Sequence, residues 1–419
     1  MKEKVARRWI TLLILAIGAG IIYQLPYIRE TFYVPLQEAM GITNEQMGVL
    51  SSGYATVATL CYFIGGIVAD KFSVRKLLTF SFISTGILGL YFSTFPGYGI
   101  SRLIFVLWGI TTIVTYWPAL IKATRNLGDS SEQGRMFGFL EGLRGISNSI
   151  LVFLMFAVFD YLGSGVLGVT WAIRTCSISA IIVGFLSWFF IEDSNPAGDT
   201  ESISDLLKGL GQVIKMPKVW IICGIIFTTY SVYGLLGYIG PYMVRVYGAP
   251  VETSIILGGT RYIIQAVGGV LGGLLADKIG SRLKVLMAGY IGIILSFGAY
   301  MLFPDNPSII TALMVNFYLG AFVVYVMRSL YFAIIDDAGI DISLTGRVSG
   351  LASCIGYTPD IFMFAMVGRW IDMHAGRYGY MMMFAYGIAM SIIGFGLGLI
   401  LLNQIKKSNK RVTSAGATN

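Results

Sequence analysis

The chain has a single histidine, His374, and only four cysteines, Cys61, Cys176, Cys223 and Cys354. The cysteines stand singly inside long apolar segments, in no metal-ligand or redox spacing, so neither a metal site nor a disulfide is expected. Charge is scarce as well: Asp, Glu, Lys and Arg make up 12% of the residues against 56% hydrophobic ones, and the mean hydropathy is +0.74. That much apolar surface cannot be hidden in one water-soluble core and calls for lipid as solvent. No nucleophile is spaced with a base and no glycine loop is shaped to cradle phosphate, so the chain does not read as an enzyme and no cofactor is expected. Basic residues interleaved with aromatic ones, the mark of a nucleic-acid module, are also missing, and the net charge of +8 needs another origin.

What the chain does have is length of apolar run. A helix that crosses a bilayer needs roughly 20 mostly apolar residues, and twelve such runs can be drawn, near 9–37, 45–69, 77–95, 101–122, 135–162, 168–191, 219–243, 252–276, 283–303, 308–336, 346–371 and 378–403. Barrel strands would be about half as long and would alternate polar with apolar residues. The expected fold class is therefore an all-α membrane protein of twelve transmembrane helices. With the N-terminus inside, 21 of the 30 Lys and Arg fall on the inner side and five (Arg102, Arg174, Arg245, Arg369 and Arg377) on the other. The positive-inside bias predicts that both termini are cytoplasmic and accounts for the net charge. The first apolar run continues through Tyr33 and Pro35 without a small-x-small cleavage site, so it reads as a first span rather than a signal peptide.

Residues 192–218 form the longest polar interruption. Within it Ile203, Leu206, Leu207, Leu210, Val213 and Ile214 recur at helical spacing, as expected for a helix lying on the inner membrane surface. The predicted organisation is a bundle over 1–191, this linker, a second bundle over 219–403, and a disordered basic tail over 404–419. A repeat links the halves. Gly65-Gly66-Ile67-Val68-Ala69-Asp70-Lys71, followed by Arg75, returns 207 positions later as Gly272-Gly273-Leu274-Leu275-Ala276-Asp277-Lys278, followed by Arg282. Gly134-Arg135 and Gly346-Arg347 recur at a similar offset, so the two six-helix bundles are expected to be pseudo-symmetric.

The repeated glycine, acid and base pattern after the second and eighth spans resembles the signature of the major facilitator superfamily, and the likeness covers all twelve helices. It implies two bundles that rock around a midplane site. It also implies an inner-face latch, with Asp70 and Arg75 in one half and Asp277 and Arg282 in the other, while Gly65 and Gly272 allow close helix approach. In character the chain is similar to bacterial organic-anion carriers of the organophosphate:phosphate antiporter and anion:cation symporter types, which place an arginine in a tyrosine-rich first helix, as Tyr23, Tyr27 and Arg29 do here. That resemblance implies a bacterial inner membrane. It departs from the antiporters in the seventh helix, which lacks their basic partner.

Charges inside the spans carry the substrate information, because each is costly there and faces a cavity or a partner. The basic ones are Arg29, Arg144, Arg261 and Arg328. Arg29 is placed either to meet an anion or to snorkel toward the outer interface. Arg328, flanked by Tyr331, has no helix end near enough to solvate it, and Arg261 is likewise mid-helix. Two arginines of the second half facing one of the first would make a divided site for a small carboxylate, sulfonate or phosphate ester. Among the acids, Glu141 lies three residues before Arg144, so it is either neutralised within its helix or a proton carrier. Glu30 and Asp360 have no partner at helical spacing, and an isolated acid in low dielectric can take up and release a proton. All three are candidates for proton coupling.

Tyr27, Tyr33, Tyr116, Trp117 and Tyr230 add hydroxyl donors and an aromatic wall to the candidate binding set of Arg29, Arg261, Arg328 and Tyr331. The function expected is secondary transport of a small organic anion, coupled to protons or to a counter-transported anion, by a monomer whose other partner is membrane lipid. A carrier of a neutral sugar or drug-like solute is the nearest alternative and predicts that Arg261 and Arg328 are neutralised by acids. A transporter-like sensor is a second one.

Overall fold

A computed structural model describes residues 2–128, 132–192 and 211–416, without the side chains of residues 2–6, 62–67, 70, 133, 134, 342, 343 and 408–416. Most of the linker expected to carry a surface helix, and the 134 position of the second repeat, lie outside that description. The described elements are helices, and nine of them are long and apolar enough to cross a membrane. Their order reproduces the twelve expected spans. The first is Lys2–Ile21 with Arg29–Met40, the second Asn44–Lys71 and the third Val74–Phe92. The fourth runs from Tyr98 to Arg125, the fifth is Gln133–Tyr161 and the sixth Val166–Phe190. The seventh is Pro217–Leu235 with Ile239–Tyr247, the eighth Val251–Ile279 and the ninth Arg282–Leu302. The tenth is Ile310–Leu330, the eleventh Ile342–Gly356 with Pro359–Met373, and the twelfth Tyr378–Gly416. Where a disordered tail was expected from residue 404, the last helix carries on to Gly416, and its final stretch from Leu399 to Ala415 contains neither glycine nor proline.

In each unit by itself we call the helix ends that carry the repeated motif, at Lys71 or at Lys278, the basic end, and the helix ends at the turns of Gly41 and Gly248 the far end. At the basic end the repeated motif builds the same turn twice. Ser73 and Ser281 each start the next helix by accepting from the backbone N–H three residues on, that of Lys76 at 3.4 Å and that of Lys284 at 3.3 Å.

Several spans are broken, and the breaks have local causes. In the fourth, Ile110–Val114 forms a π turn ahead of Pro118. Thr112 and Thr115 return their hydroxyls to the carbonyls of Trp108 and Thr111, and Ser81 donates to the Thr111 carbonyl from the third span. Hydroxyls thus satisfy the carbonyls that a loosened helix frees, as an apolar surrounding requires. In the eleventh, Pro359 cannot continue the helix that ends at Gly356, and Tyr357 and Thr358 lie in the gap.

The chain divides into two compact units that do not follow its two halves. One comprises Met1–Thr200, Gly237–Ala266 and Asp360–Gly376; the other comprises Glu201–Leu236, Val267–Pro359 and Arg377–Asn419. The far-end portions of the seventh, eighth and eleventh spans therefore belong with the first unit. The first unit is centred on rings such as Trp108, which packs against Phe92 and Phe105 at centroid distances of 5.4 and 5.0 Å. Both units leave large apolar side chains exposed, including Leu60, Phe80 and Ile150 in the first and Val270, Leu295 and Leu319 in the second. Exposed apolar residues in such number suit a lipid-facing surface.

Candidate functional site

In the first unit, Arg29 opens the helix that follows the break in the first span and is only 1% exposed. Its head therefore does not snorkel to a surface. The guanidinium carbon lies 3.7 Å from the ring centroid of Phe364 and 4.9 Å from that of Tyr238. None of its three nitrogens makes a hydrogen bond of regular geometry among the described residues, and the charge is held between ring faces, beside the phenols of Tyr238 and Tyr33 and the carboxylate of Glu30. Tyr33 packs on Tyr238 with 5.5 Å between centroids.

Arg261 is 2% exposed, and its Nη2 is ion-paired to the carboxylate of Glu30. The same nitrogen donates to the Tyr262 hydroxyl at 3.2 Å, which also accepts from Gln24 Nε2 at 3.2 Å. Gly258 makes room for this meeting, since a Cβ there would lie 3.0 Å from the Cα of Thr31. The expectation that Glu30 is an isolated acid is corrected here: its partner comes from the eighth span, beyond the reach of helical spacing. The other expected acid–base pair is made within its helix, where Arg144 Nη1 donates to the Glu141 oxygens at 3.2 and 3.4 Å.

Asp360 stands in the first turn of Pro359–Met373, is buried, and accepts from the Tyr27 hydroxyl at 3.3 Å. Tyr27 leads into a row of aromatic contacts. Its ring meets Tyr54 at 5.3 Å, whose hydroxyl lies 3.1 Å from Thr112 Oγ1, and Tyr23 donates to the Thr112 carbonyl at 3.4 Å. Tyr23 then meets Tyr116 at 5.9 Å. Tyr116 is buried with its hydroxyl unbonded among the described residues, and Trp117 beside it is half-buried. The first unit thus gathers Arg29, Tyr27, Tyr33, Arg261, Glu30 and Asp360 on interacting spans.

Arg328 belongs to the second unit. It is half-buried on the tenth span, with its guanidinium carbon 4.0 Å from the centroid of the Tyr233 ring. Tyr233, Tyr331, Tyr230 and Tyr357 are the phenols that face it. They are mutually braced: Tyr230 meets Tyr233 at 5.5 Å and Tyr357 at 4.5 Å, and the hydroxyls of Tyr331 and Tyr357 are 3.1 Å apart. Tyr331 and Tyr357 both sit where their helices stop, each still donating its backbone N–H to the carbonyl four residues back, that of Met327 and that of Ser353. Among the described residues Arg328 makes neither a hydrogen bond nor an ion pair. The result is an arginine presented by tyrosines alone. Tyr357 was not among the candidates, and its place beside the Pro359 break was the one available signal.

The latch differs from expectation in its second copy, and in the first it rests on a side chain outside the described residues. Gly65 and the Asp70 side chain lie outside the described residues, while Arg75 stands 5.9 Å over the Trp188 ring. In the second copy Arg282 does not pair with Asp277, which is exposed. It donates to Asp337 Oδ1 at 3.1 Å and has Asp336 within 3.7 Å. The other Asp337 oxygen accepts from the backbone N–H of Leu283 at 3.2 Å. The short helix Ile334–Asp337 brings that acid to the start of the ninth span, whereas Asp277 precedes the turn at Gly280 and faces outward. Gly272 does provide close approach, since a Cβ there would sit 3.3 Å from the Val326 Cα.

No group of three or more His, Cys, Asp and Glu among the described residues is arranged to hold a metal ion. Residues 8–358 match the family model described as Major Facilitator Superfamily. The inner membrane protein YihN of Escherichia coli (strain K12) is 32% identical over 98% of this chain and 99% of its own length. The inner membrane protein YqcE of the same organism is 31% identical over 100% of both. Among solved structures, that of the nucleoside transporter NupG superposes with a TM-score of 0.73 at 13% identity, covering 94% of this chain and 98% of that one, a likeness of fold alone.

Proposed function

Because the chain belongs to the major facilitator superfamily, we propose that it is a secondary transporter that carries a small organic anion across a membrane by alternating access. The observation that carries the anionic reading is Arg328. The other intramembrane arginines have protein groups to answer them: Arg261 has Glu30, Arg144 has Glu141, and Arg29 is sandwiched between rings. Among the described residues Arg328 faces phenols and is paired with no acid. A half-buried guanidinium set against rings without a counter-ion among the described residues is open to one, and a carboxylate, sulfonate or phosphate ester would offer it forked hydrogen bonds. Tyr230, Tyr233, Tyr331 and Tyr357 would line the same place, giving apolar faces to the ligand and hydroxyls to its polar groups.

The membrane is proposed to be the bacterial inner membrane, in keeping with the relatives' descriptions, with the basic end in the cytoplasm. Coupling to protons is proposed to run through Asp360, with anion exchange as the other mode. The pairing of Arg261 with Glu30 favours a second reading, a neutral solute, since it removes one cation from the ligand's reach.

The test is a thermal-stability screen of the purified protein with anionic, neutral and cationic metabolites, repeated on Arg328→Gln. Stabilisation by anions that disappears in the variant supports the proposal. Stabilisation by uncharged compounds alone, or anion binding that survives the substitution, rejects it.

A further inference from the structure

Arg328 brings a single positive charge to the phenols that face it. On the ninth and seventh spans, which pack against its helix, other basic groups are answered within the protein. Arg282 is held by Asp337 at 3.1 Å with Asp336 within 3.7 Å, and Lys218 donates to the Ala338 carbonyl at 2.9 Å. The acids next along the chain from Arg328 are thereby engaged with Arg282. On the eleventh span Arg347 precedes Tyr357 by ten residues, about 15 Å along a helix.

The groups that do face Arg328 bring hydroxyls and rings. The Tyr233 ring lies 4.0 Å from the guanidinium carbon, and that ring is set by Tyr230 at 5.5 Å and Tyr325 at 6.0 Å. Phe332 meets Tyr331 at 4.7 Å and Tyr357 at 6.4 Å and extends the row. Tyr331 and Tyr357 hold their hydroxyls 3.1 Å apart. Arg328, Tyr233 and Tyr357 are half-buried, whereas Tyr230 and Tyr331 are buried, so the guanidinium is reached along a wall of rings.

One guanidinium and one negative charge cancel. A second negative charge would meet neutral hydroxyls and ring faces among these groups, and an aromatic face is itself negative. Taking that charge out of water is costly without a cation to answer it. We propose that the Arg328 site selects anions by charge number: it takes singly charged sulfonates and carboxylates and turns away doubly charged phosphate monoesters. The selection rests on the anion reading of the same site and narrows it. Forked hydrogen bonding alone would not make this distinction, since a phosphate ester presents the same pair of oxygens as a sulfonate.

The test is thermal stabilisation of the full chain, titrated with anions paired on one carbon skeleton each. The pairs are ethanesulfonate with ethyl phosphate, hydroxypropane sulfonate with hydroxypropyl phosphate, and benzenesulfonate with phenyl phosphate. A sulfonate carries one charge throughout, whereas a phosphate monoester passes from one to two with a pKa of about 6. At about pH 7.5 the sulfonates are expected to bind at least tenfold more tightly than their phosphate partners. Between about pH 7.5 and about pH 5.5 the phosphates should gain about twentyfold in apparent affinity, as their singly charged fraction does, while the sulfonates stay within about twofold. Arg328→Gln should abolish both. Phosphates that bind as tightly as their sulfonate partners at about pH 7.5 would overturn the charge selection and leave the anion reading standing. Stabilisation by no anion of these pairs or of the wider screen, or stabilisation untouched by Arg328→Gln, would remove the anion reading and the selection with it.

Discussion

Arg261 of the eighth span is ion-paired to Glu30 of the first, with side-chain exposures of 2% and 5%. Burial of this depth makes the pair a poor source of stability but a costly one to break, because the survivor is left charged and alone. Glu30→Ala and Arg261→Ala are each expected to lower unfolding stability by about 3–5 kcal/mol. Replacing both with apolar residues should cost less than the sum of the two. Denaturant unfolding of the four proteins in detergent closes the cycle, and additive losses would mean that the two charges do not act on each other.

Arg328 is expected to behave in the opposite way. Among the described residues it has no acid to strand, so Arg328→Gln should leave stability unchanged or raise it, while abolishing stabilisation by anionic ligands. At a ligand concentration a hundredfold above Kd that stabilisation is about 2.7 kcal/mol in the parent. A large loss of stability in the ligand-free variant would indicate a structural role for the charge.

Tyr233 lies against that guanidinium at 4.0 Å. Tyr233→Phe keeps a ring face and should retain anion binding, whereas Tyr233→Leu removes it and should weaken the contact by roughly 0.5–2 kcal/mol. Equal affinities for the two variants, measured by calorimetry, would deny the ring a part in holding Arg328.

Much of the fold was legible because it rests on a one-dimensional signal. Twelve apolar runs of bilayer length give twelve spans whether or not their partners are known. Breaks could be read where proline marks them, as at Pro118 and Pro359; the hydroxyl that Ser81 of the third span brings to the Thr111 carbonyl at the π turn could not. The site divides along the same line. Arg328 stands out because a lone charge in an apolar run is conspicuous by itself. Glu30 was misread as isolated because its partner is 231 positions away.

The repeated motif gives a last expectation, because its second copy uses a different acid from the one its spacing suggests. Arg282 and the backbone N–H of Leu283 are served by Asp337, whose side chain is 18% exposed, and not by Asp277. Partial exposure and screening keep such a pair modest, roughly 0.2–1 kcal/mol, with the bond to the Leu283 N–H adding about as much again. Asp337→Ala is therefore expected to destabilise the protein by about 1–2 kcal/mol, and Asp277→Ala by less than about 0.5 kcal/mol. Thermal melts of the two variants rank them directly. If Asp277→Ala proves the more damaging, the acid of the repeat engages Arg282 in a conformation other than this one, and the motif then works as a switch between Asp337 and Asp277.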